Sequence, residues 1–385
     1  MNVMFEFSLK IFFITFFFFS FLYIESLIAC HPVGSIRSNM TDLYNGQFQQ
    51  EEIFQHNHHC QCKRLVTGTL CDKCLDGSFH LNDYSHTGCI QCFCFGVTDV
   101  CNGATNLYRH HISANIDRYS HGFILRDREQ QEQSSSSSES LTFDHLNREI
   151  IFQNFSQTSG HLYWQLPFNF LGNRITSYGG HLNYTFRFQG NYFQRGHDGH
   201  RKPFAIIMGN NQSLEYYHQQ PLHPLIATTI SIALFENQWY RNDNGKPASR
   251  RDLMITLANL DSILLLATVT NDISWIGLIA VTLDTSVELQ MLSPTTMSSS
   301  LSRSISISTL KVDTVELCRC PQGYSGTSCE RCAPGFKMQL MMNQANIRDD
   351  DMDNNNNNLF HRCVPCFCNG HSFDCDSLTG HCMVC

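Results

Sequence analysis

The stretch CRCPQGYSGTSCERCAPGF, residues 318–336, decides how this chain of 385 residues is organised. Its four cysteines repeat the spacing of four cysteines that lie 258 residues earlier, namely Cys60, Cys62, Cys71 and Cys74. Four further cysteines recur at an offset of 274 residues: Cys89, Cys92, Cys94 and Cys101 return as Cys363, Cys366, Cys368 and Cys375. The chain therefore contains a cysteine module twice, with 16 extra residues in one loop of the second copy.

A segment without cysteine separates the two clusters. It runs from residue 102 to residue 317 and is 216 residues long. That length is sufficient for a domain with its own hydrophobic core. The sequence predicts a globular domain inserted into one small cysteine module.

The cysteines and the N-terminus indicate export. Nineteen cysteines in two clusters are typical of a disulfide framework in a secreted protein. Residues 11–24 (IFFITFFFFSFLYI) form an apolar run, and small residues follow at Ser26 and Ala29. This pattern predicts a cleaved signal peptide over residues 1–29 and a mature chain without a membrane span.

Four Asn-x-Ser/Thr sequons agree with secretion and are candidate glycosylation sites: Asn39, Asn154, Asn183 and Asn211. The net charge of −8 gives no electrostatic reason to expect nucleic acid or an anionic membrane as partner. The tightest basic group is Arg250 and Arg251 with Lys246 nearby, and we expect it to be a solvated helix start.

The insert has strand signals between two serine-rich tracts. In His181–Phe188 (HLNYTFRF), apolar and polar residues alternate, which predicts one face on a core and Asn183 on the outward face. Further β-rich runs are Phe204–Met208, Thr229–Phe235, Ile263–Val269 and Trp275–Leu283. The tracts at residues 130–140 and 298–308, and the acidic and asparagine-rich residues 349–358, are predicted linkers or loops.

One helix is predicted among the strands. Ser249 can cap it together with Asp252, and Leu253, Leu257 and Leu260 then recur at helical spacing. Many strands, glycine-rich turns and one short helix favour a β-sandwich over residues 141–290.

Two stretches connect the chain to a known family. The spacing Cys-x6-Cys-x6-Cys-x-x-Cys over residues 368–385 and the stretch at residues 318–336 resemble laminin-type EGF-like modules. The insert resembles the laminin IV type A domain in Tyr163–Phe188 and Ser249–Val269. The resemblance implies a mainly β chain: a jelly-roll-like β-sandwich, inserted between the second and third cysteines of a module, within an array of small disulfide-rich modules.

The resemblance also implies a pairing, because the family joins its eight cysteines first to third, second to fourth, fifth to sixth and seventh to eighth. The interrupted module would occupy residues 94–101 and 318–366, with Cys94–Cys318, Cys101–Cys320, Cys329–Cys332 and Cys363–Cys366. A truncated module at 368–385 would contain Cys368–Cys382 and Cys375–Cys385. A partial module at 60–92 would contain Cys71–Cys74 and Cys89–Cys92, leaving Cys30, Cys60 and Cys62 over.

Other kinds of site have weaker support. The cysteine groups have spacings that zinc also uses, but secretion and the continuous phasing of the cysteines favour disulfides. Histidines at 56, 58 and 59 and at 197 and 200 lie in polar contexts, and we expect no metal there. The sequence contains no Gly-x-Ser-x-Gly or His-Glu-x-x-His motif, so we expect neither an enzyme nor a cofactor.

The favoured function is structural. The resemblance implies a secreted glycoprotein segment of the extracellular matrix, of basement-membrane type, that acts as a spacer and binds other matrix proteins or cell-surface receptors. The alternative is a secreted carbohydrate-binding adhesion module, with glycans stacked on some of five aromatic residues: Trp164, Trp239, Trp275, Tyr216 and Tyr217. For these aromatics, packing inside the sandwich is the expected role.

Overall fold

The computed structural model describes fourteen parts of the chain: residues 30–36, 60–83, 85–114, 116, 122–127, 141–153, 155, 161–190, 202–270, 272–288, 311–340, 361–369, 372 and 374–383. The predicted signal peptide and the three polar tracts lie outside these residues. The chain divides into two compact units, residues 1–91 and 92–385.

The first unit is a small disulfide-rich module. Three disulfides hold it: Cys30–Cys60, Cys62–Cys71 and Cys74–Cys89. Its core contains Val66 beside two of the cysteines. Numbered along the chain, its strands are β1 (Val66–Thr67), β2 (Lys73–Cys74), β3 (Ser78–Phe79) and β4 (Ile90–Gln91).

The second unit contains the inserted domain, a sandwich of two antiparallel sheets of six strands each. The first sheet has the order β15-β13-β12-β16-β10-β7. Its strands are β7 (Ile124–Asp127), β10 (Leu162–Gln165), β12 (Ala205–Gly209), β13 (Gln212–Tyr216), β15 (Tyr240–Arg241) and β16 (Leu260–Leu266).

The second sheet has the order β14-β11-β17-β9-β8, and β6 also pairs with β17. Its strands are β6 (Leu107–Ser113), β8 (Thr142–Asp144), β9 (Glu149–Phe152), β11 (His181–Gln189), β14 (Thr228–Ala233) and β17 (Trp275–Glu288). The strand β11 shows why the sandwich forms: Leu182, Tyr184, Phe186 and Phe188 are buried, and the alternate residues are not. The predicted facing of this strand is thus correct.

The helix α1 (Arg250–Ala258) packs beside β12 and β13. Ser249 caps it: the Ser249 hydroxyl accepts from the Asp252 backbone N–H, and the Asp252 carboxylate accepts from the Ser249 N–H. The predicted capping box is confirmed, but the predicted third helical leucine, Leu260, is the first residue of β16. Short 3-10 turns lie at Cys94–Gly96, Phe168–Phe170, Ile175–Ser177 and Glu236–Gln238.

The interrupted module supplies the remaining strands. These are β5 (Cys101–Gly103), β18 (Glu316–Cys318), β19 (Tyr324–Ser325), β20 (Arg331–Cys332), β21 (Phe336–Leu340) and β22 (His361–Pro365). They form three two-stranded sheets, β5 with β18, β19 with β20 and β21 with β22.

The inserted domain begins earlier than residue 141. The strand β6 pairs with β17 from Leu107 onward, and β7 pairs with β10. Both segments precede the serine-rich tract, so the tract interrupts the sandwich rather than preceding it. Sequence reasoning missed them because β6 (LYRHHIS) has too few apolar residues to show a buried face.

Six of the eight predicted disulfides are wrong. The pairs Cys94–Cys318 and Cys368–Cys382 are present. The others are replaced by Cys62–Cys71, Cys74–Cys89, Cys92–Cys101, Cys320–Cys329, Cys332–Cys363 and Cys366–Cys375. The predictions that fail are Cys71–Cys74, Cys89–Cys92, Cys101–Cys320, Cys329–Cys332, Cys363–Cys366 and Cys375–Cys385.

Two of the four failed Cys-x-x-Cys pairs begin at Cys71 and Cys329, which have a left-handed backbone and bond Cys62 and Cys320 instead. Extended backbone explains the failure of the other two, because β4 lies between Cys89 and Cys92 and β22 contains Cys363. Cysteines three apart on a strand have Cα atoms about 10 Å apart, and a disulfide needs less than about 7 Å. Cys101 bonds Cys92 and Cys375 bonds Cys366, so neither is available to its predicted partner. Cys385 lies outside the described residues.

A single shift of phase accounts for the whole set. If the interrupted module begins at Cys92 rather than Cys94, its bonds follow the family order of first to third, second to fourth, fifth to sixth and seventh to eighth. The insert then lies between the third and fourth cysteines, Cys101 and Cys318. A separation of nine residues recurs in four of the bonds, and this periodicity was the available signal in the sequence.

Candidate functional site at the junction of module and sandwich

The two ends of the insert meet in a short antiparallel ladder, which we call the stem (residues 101–108 and 311–318). The strands β5 and β18 pair so that Cys101 lies opposite Cys318. Further along, Ala104 N donates to Val315 O at 2.8 Å, and Val312 N donates to Leu107 O at 3.0 Å. Four buried side chains fill the stem: Ala104, Leu107, Val312 and Val315. The sandwich is therefore attached to its module by two chain segments that support each other.

Glu316, in the stem, is the central residue of the junction. Its carboxylate is fully buried and accepts hydrogen bonds from Phe93 N at 2.8 Å and Cys94 N at 3.0 Å. Arg250 Nη2, from the first turn of α1, donates to the same carboxylate at 3.2 Å. A buried carboxylate is tolerated only when such charge-assisted donors replace its water. Glu316 thus joins the module backbone to the sandwich helix.

Arg250 is mostly buried, with 13% of its side chain exposed, although it lies at the N-terminus of a helix, where the helix dipole disfavours a cation. Burial acts to lower the pKa of Arg250, but Glu316, Tyr178 and Glu236 together outweigh it, so the pKa is raised overall. The guanidinium lies over the Tyr178 ring at 4.6 Å from its centroid. The expectation of a solvated helix start is therefore wrong for Arg250, which serves as the counter-charge of Glu316.

Tyr178 extends this network to Glu236, in the 3-10 turn that follows β14. Its hydroxyl donates to Glu236 Oε2 at 2.7 Å, and burial raises the pKa of the Tyr178 hydroxyl well above its ordinary value. The tyrosine therefore stays a neutral donor. Gly179 follows with φ of +76°, and a Cβ there would lie 2.2 Å from Thr314 Oγ1, so only glycine lets the stem approach.

A second polar contact joins module and sandwich. Asn173 Nδ2 donates to Glu330 Oε1 at 2.9 Å, while Ser328 N donates to Glu330 Oε2 at 3.0 Å. Gly326, at φ of +101°, leaves the space that the Glu330 carboxylate occupies. Together with the Glu316 network, this contact gives the junction two separate sets of hydrogen bonds between module and sandwich.

Sequence reasoning missed these junction residues. Glu316, Glu330 and Asn173 are isolated polar residues without a motif, and their partners lie far away in the chain. The one usable signal was their position, since Glu316 and Glu330 each lie within two residues of a module cysteine.

The candidate sugar-stacking residues do not form a platform. Trp164 and Trp239 are completely buried, and Trp239 Nε1 donates to Ala233 O at 3.1 Å. Trp275 is partly exposed, but the Arg187 guanidinium lies 5.3 Å from its ring centroid. Tyr216 packs against Trp239, and Tyr217 against Tyr240. Packing is the role of the two tryptophans that the sandwich buries.

Two compact groups with metal-ligand chemistry occur among the described residues, and both consist of disulfide cysteines beside one other side chain. They are Cys94, Glu316 and Cys318, and Cys332, His361 and Cys363. The sulfurs of each group are bonded to one another, so they supply no thiolate. The candidate histidines at 56, 58, 59, 197 and 200 lie outside the described residues.

Two of the four glycosylation candidates lie among the described residues. Asn39 and Asn154 lie outside the described residues. Asn183 is half-buried on the outward face of β11, where its Nδ2 donates to Thr282 Oγ1 at 3.3 Å. Asn211 is exposed in the turn between β12 and β13, with φ of 61°. Glycosylation stays a prediction at all four positions.

The disulfide framework, the interrupted module and the inserted sandwich define a modular protein of the laminin type. The laminin EGF domain family matches residues 29–89 and 312–345, and the family "Laminin B (Domain IV)" matches residues 163–298. The chain belongs to the proteins built from laminin EGF and laminin IV domains.

The chain is similar to a basement membrane proteoglycan of Caenorhabditis elegans, at 35% identity over 85% of this chain and 8% of that protein. It is 30% identical to the basement membrane-specific heparan sulfate proteoglycan core protein of Mus musculus, over 85% of this chain and 8% of that protein. Human laminin subunit alpha-1 is 26% identical, over 84% of this chain and 10% of the subunit. The chain thus spans a tenth or less of these relatives.

Among solved structures, the L4b domain of human laminin alpha-2 matches with a TM-score of 0.39 and 19% identity, over 46% of this chain and 98% of that domain. No helix within the described part of the chain is long and apolar enough to span a bilayer.

Proposed function

We propose that this chain is a spacer segment of a secreted basement-membrane component, in which a globular domain is attached beside the line of tension rather than within it. The observation that carries the proposal is the Cys94–Cys318 disulfide. It joins residues separated by 224 positions while their Cα atoms are 5.8 Å apart. Force that enters at Cys94 passes through this bond to Cys318, so the sandwich between them bears no load.

The junction supports the same role. The Glu316 network and the contact of Asn173 with Glu330 hold the sandwich against its module without contributing to the covalent path. Short disulfide loops stabilise modules that are too small for a large hydrophobic core. The result is a chain of covalently locked modules that presents a folded domain at a defined position.

The names of the relatives support the location and the kind of partner. The two proteoglycan relatives are basement-membrane proteins by name. We therefore assign the chain to the extracellular matrix, with other matrix proteins or cell-surface receptors as partners. The higher identity to the proteoglycan core proteins, together with CDKCLDGSFHL at residues 71–81 and CFCFGVTDVC at residues 92–101, favours a perlecan-like protein over a laminin α chain.

The carbohydrate-binding alternative is less favoured, because the two tryptophans that it would use best, Trp164 and Trp239, have no exposed face. A glycan array with the full secreted chain tests it directly. Specific binding that survives substitution of Trp275 would identify a sugar site that does not depend on Trp275.

Stretching single molecules tests the spacer proposal. With the full chain held at its ends under oxidising conditions, the sandwich should give no unfolding step. With a reductant, one long release of about 75 nm should appear, the extended length of the 224 residues closed by Cys94–Cys318, beside the short releases from the other disulfide loops.

Matched variants isolate this one bond. Replacing Cys94 and Cys318 with Ser should give the long step without reductant. Replacing Cys320 and Cys329, whose bond closes nine residues, should release only about 3 nm. A long step from the unmodified oxidised chain would refute the proposal.

A further inference from the structure

Three side chains with metal-ligand chemistry lie in a row across three neighbouring strands of the second sheet. His111 of β6 lies opposite Asp284 of β17 in the ladder. On the other side of β17, Leu182 of β11 pairs with Leu283, which places His181 beside Asp284. Leu182 and Leu283 are buried in the core, so the adjacent row faces away from it. The outer face of the sheet therefore presents His111, Asp284 and His181 together.

Both imidazole rings turn a nitrogen toward the Asp284 carboxylate. Nδ1 of His111 lies 2.6 Å from Oδ1, and Nδ1 of His181 lies 3.6 Å from Oδ2. The first distance is that of a hydrogen bond, whereas the second is too long for one. The backbone N–H of His181 donates to Asp284 Oδ2 at 3.0 Å, which fixes the carboxylate in place. Two nitrogen ligands and one oxygen ligand thus converge on one spot of the surface.

The exposure of the three side chains suits a ligand that arrives from solvent. The side chains of His111 and His181 are 41% and 47% exposed, whereas that of Asp284 is only 11% exposed. Half-exposed rings can change rotamer without disturbing the core. The row therefore combines one anchored carboxylate with two rings that can adjust to a bound ion.

The charges around the carboxylate favour a cation. Arg109, two residues before His111 on β6, interacts electrostatically with both Asp284 and Asp313. Its Nη2 donates to Gly179 O at 3.3 Å, so the guanidinium is directed at the loop before β11. With both histidines neutral, Arg109 supplies one positive charge and the two aspartates supply two negative charges. The surroundings thus carry an excess of negative charge that a metal ion can neutralise.

We propose that His111, Asp284 and His181 bind one divalent transition-metal ion of the zinc type. Imidazole nitrogen and carboxylate oxygen are ligands that Zn²⁺ accepts, and three protein ligands leave a position for water. The ion takes the place of the proton between His111 Nδ1 and Asp284 Oδ1, and that proton moves to Nε2 of the same ring. The His181 ring moves in to complete the set. The bound ion ties β6, the first sandwich strand after the stem, to β17 and β11.

Calorimetric titration of the full secreted chain with Zn²⁺ tests the site. The parent is untagged, is first treated with a chelator, and carries Cys385→Ser so that this cysteine supplies no thiolate. His111→Gln and His181→Gln should each weaken zinc binding about tenfold or more, because each removes one ligand. Binding by the parent should weaken below about pH 6.5, because a protonated imidazole is not a ligand. Zinc should also raise the unfolding temperature of the parent, since it binds the folded state.

His145→Gln is the matched control, since it makes the same change at an exposed histidine in the turn after β8 of the same sheet. It should leave zinc binding unchanged. Calcium should not compete with zinc, because it prefers ligand sets made only of oxygen. Thermal unfolding without metal verifies that all variants fold. A parent that binds no zinc, or zinc binding that His111→Gln and His181→Gln weaken no more than His145→Gln does, overturns the proposal.

Discussion

Arg250 Nη2 donates to Glu316 Oε2 at 3.2 Å across 66 positions of sequence, and both side chains are shielded from water. The pair joins the sandwich helix to β18, the strand that ends at Cys318. Since Glu316 also accepts from the backbone of Phe93 and Cys94, loss of its charge affects both sides of the junction.

Glu316→Ala should therefore destabilise the second unit strongly. Removing one partner of a buried ion pair leaves an uncompensated charge and costs about 3–5 kcal/mol. Denaturant unfolding of the full oxidised chain measures this change. Asp243→Asn is the control, because its pair with Arg241 is exposed at the surface and should contribute about 0–1 kcal/mol. Equal effects of the two substitutions would show that the junction does not depend on Glu316.

His361 should make stability depend on pH. It lies between Phe95 and Tyr324, and burial lowers the pKa of His361 from its ordinary value to about 4. The unfolded chain then binds more protons than the folded one between these values. Stability should be complete above about pH 6.5 and fall by up to about 3 kcal/mol toward pH 4.

His361→Gln should reduce this pH dependence, whereas substitution of the exposed His381 should not. Burial also lowers the pKa of His110 and His218, so part of the dependence remains in the variant. A pH profile that His361→Gln leaves unaltered would contradict the assignment.

Peptide mapping under non-reducing conditions tests the disulfide pairing. We expect Cys92 joined to Cys101, Cys320 to Cys329 and Cys332 to Cys363. Recovery of Cys329 linked to Cys332 would instead support the local pairing and would contradict the shifted phase. The sequence has nineteen cysteines, an odd number, so one cannot pair within a monomer. We therefore expect a titratable thiol or a reducible dimer.

Glycosylation of Asn183 is expected because its side chain lies on the outward face of β11, beside Thr282. Glycopeptide mass spectrometry after expression in a secreting eukaryotic cell measures its occupancy. Asn211, exposed in a turn, serves as the comparison site. Occupancy of Asn211 alone would show that the half-buried strand position is inaccessible to the transferase.

Local pattern was sufficient for the elements whose stability is local. The alternation in β11 predicted its buried face, and Ser249 with Asp252 predicted the start of α1. The predicted run at Trp275 became β17, but it continues to Glu288 because β6 pairs with it from Thr282 to Glu288, beyond the last residue that β11 pairs. Where a strand ends thus depends on its neighbouring strands, and these lie far away in the sequence.

The sequence by itself determined the class of protein: the repeated cysteine spacing, the cysteine-free insert and the amphipathic strands are all properties of local spacing. Only the tertiary structure decided which cysteines bond and which charges are buried. A disulfide requires two Cα atoms within about 7 Å, and that distance depends on whether the chain between them is extended or turned. In the same way, Glu316 and Arg250 are ordinary surface residue types until folding removes water from both, and their pairing then holds the junction together.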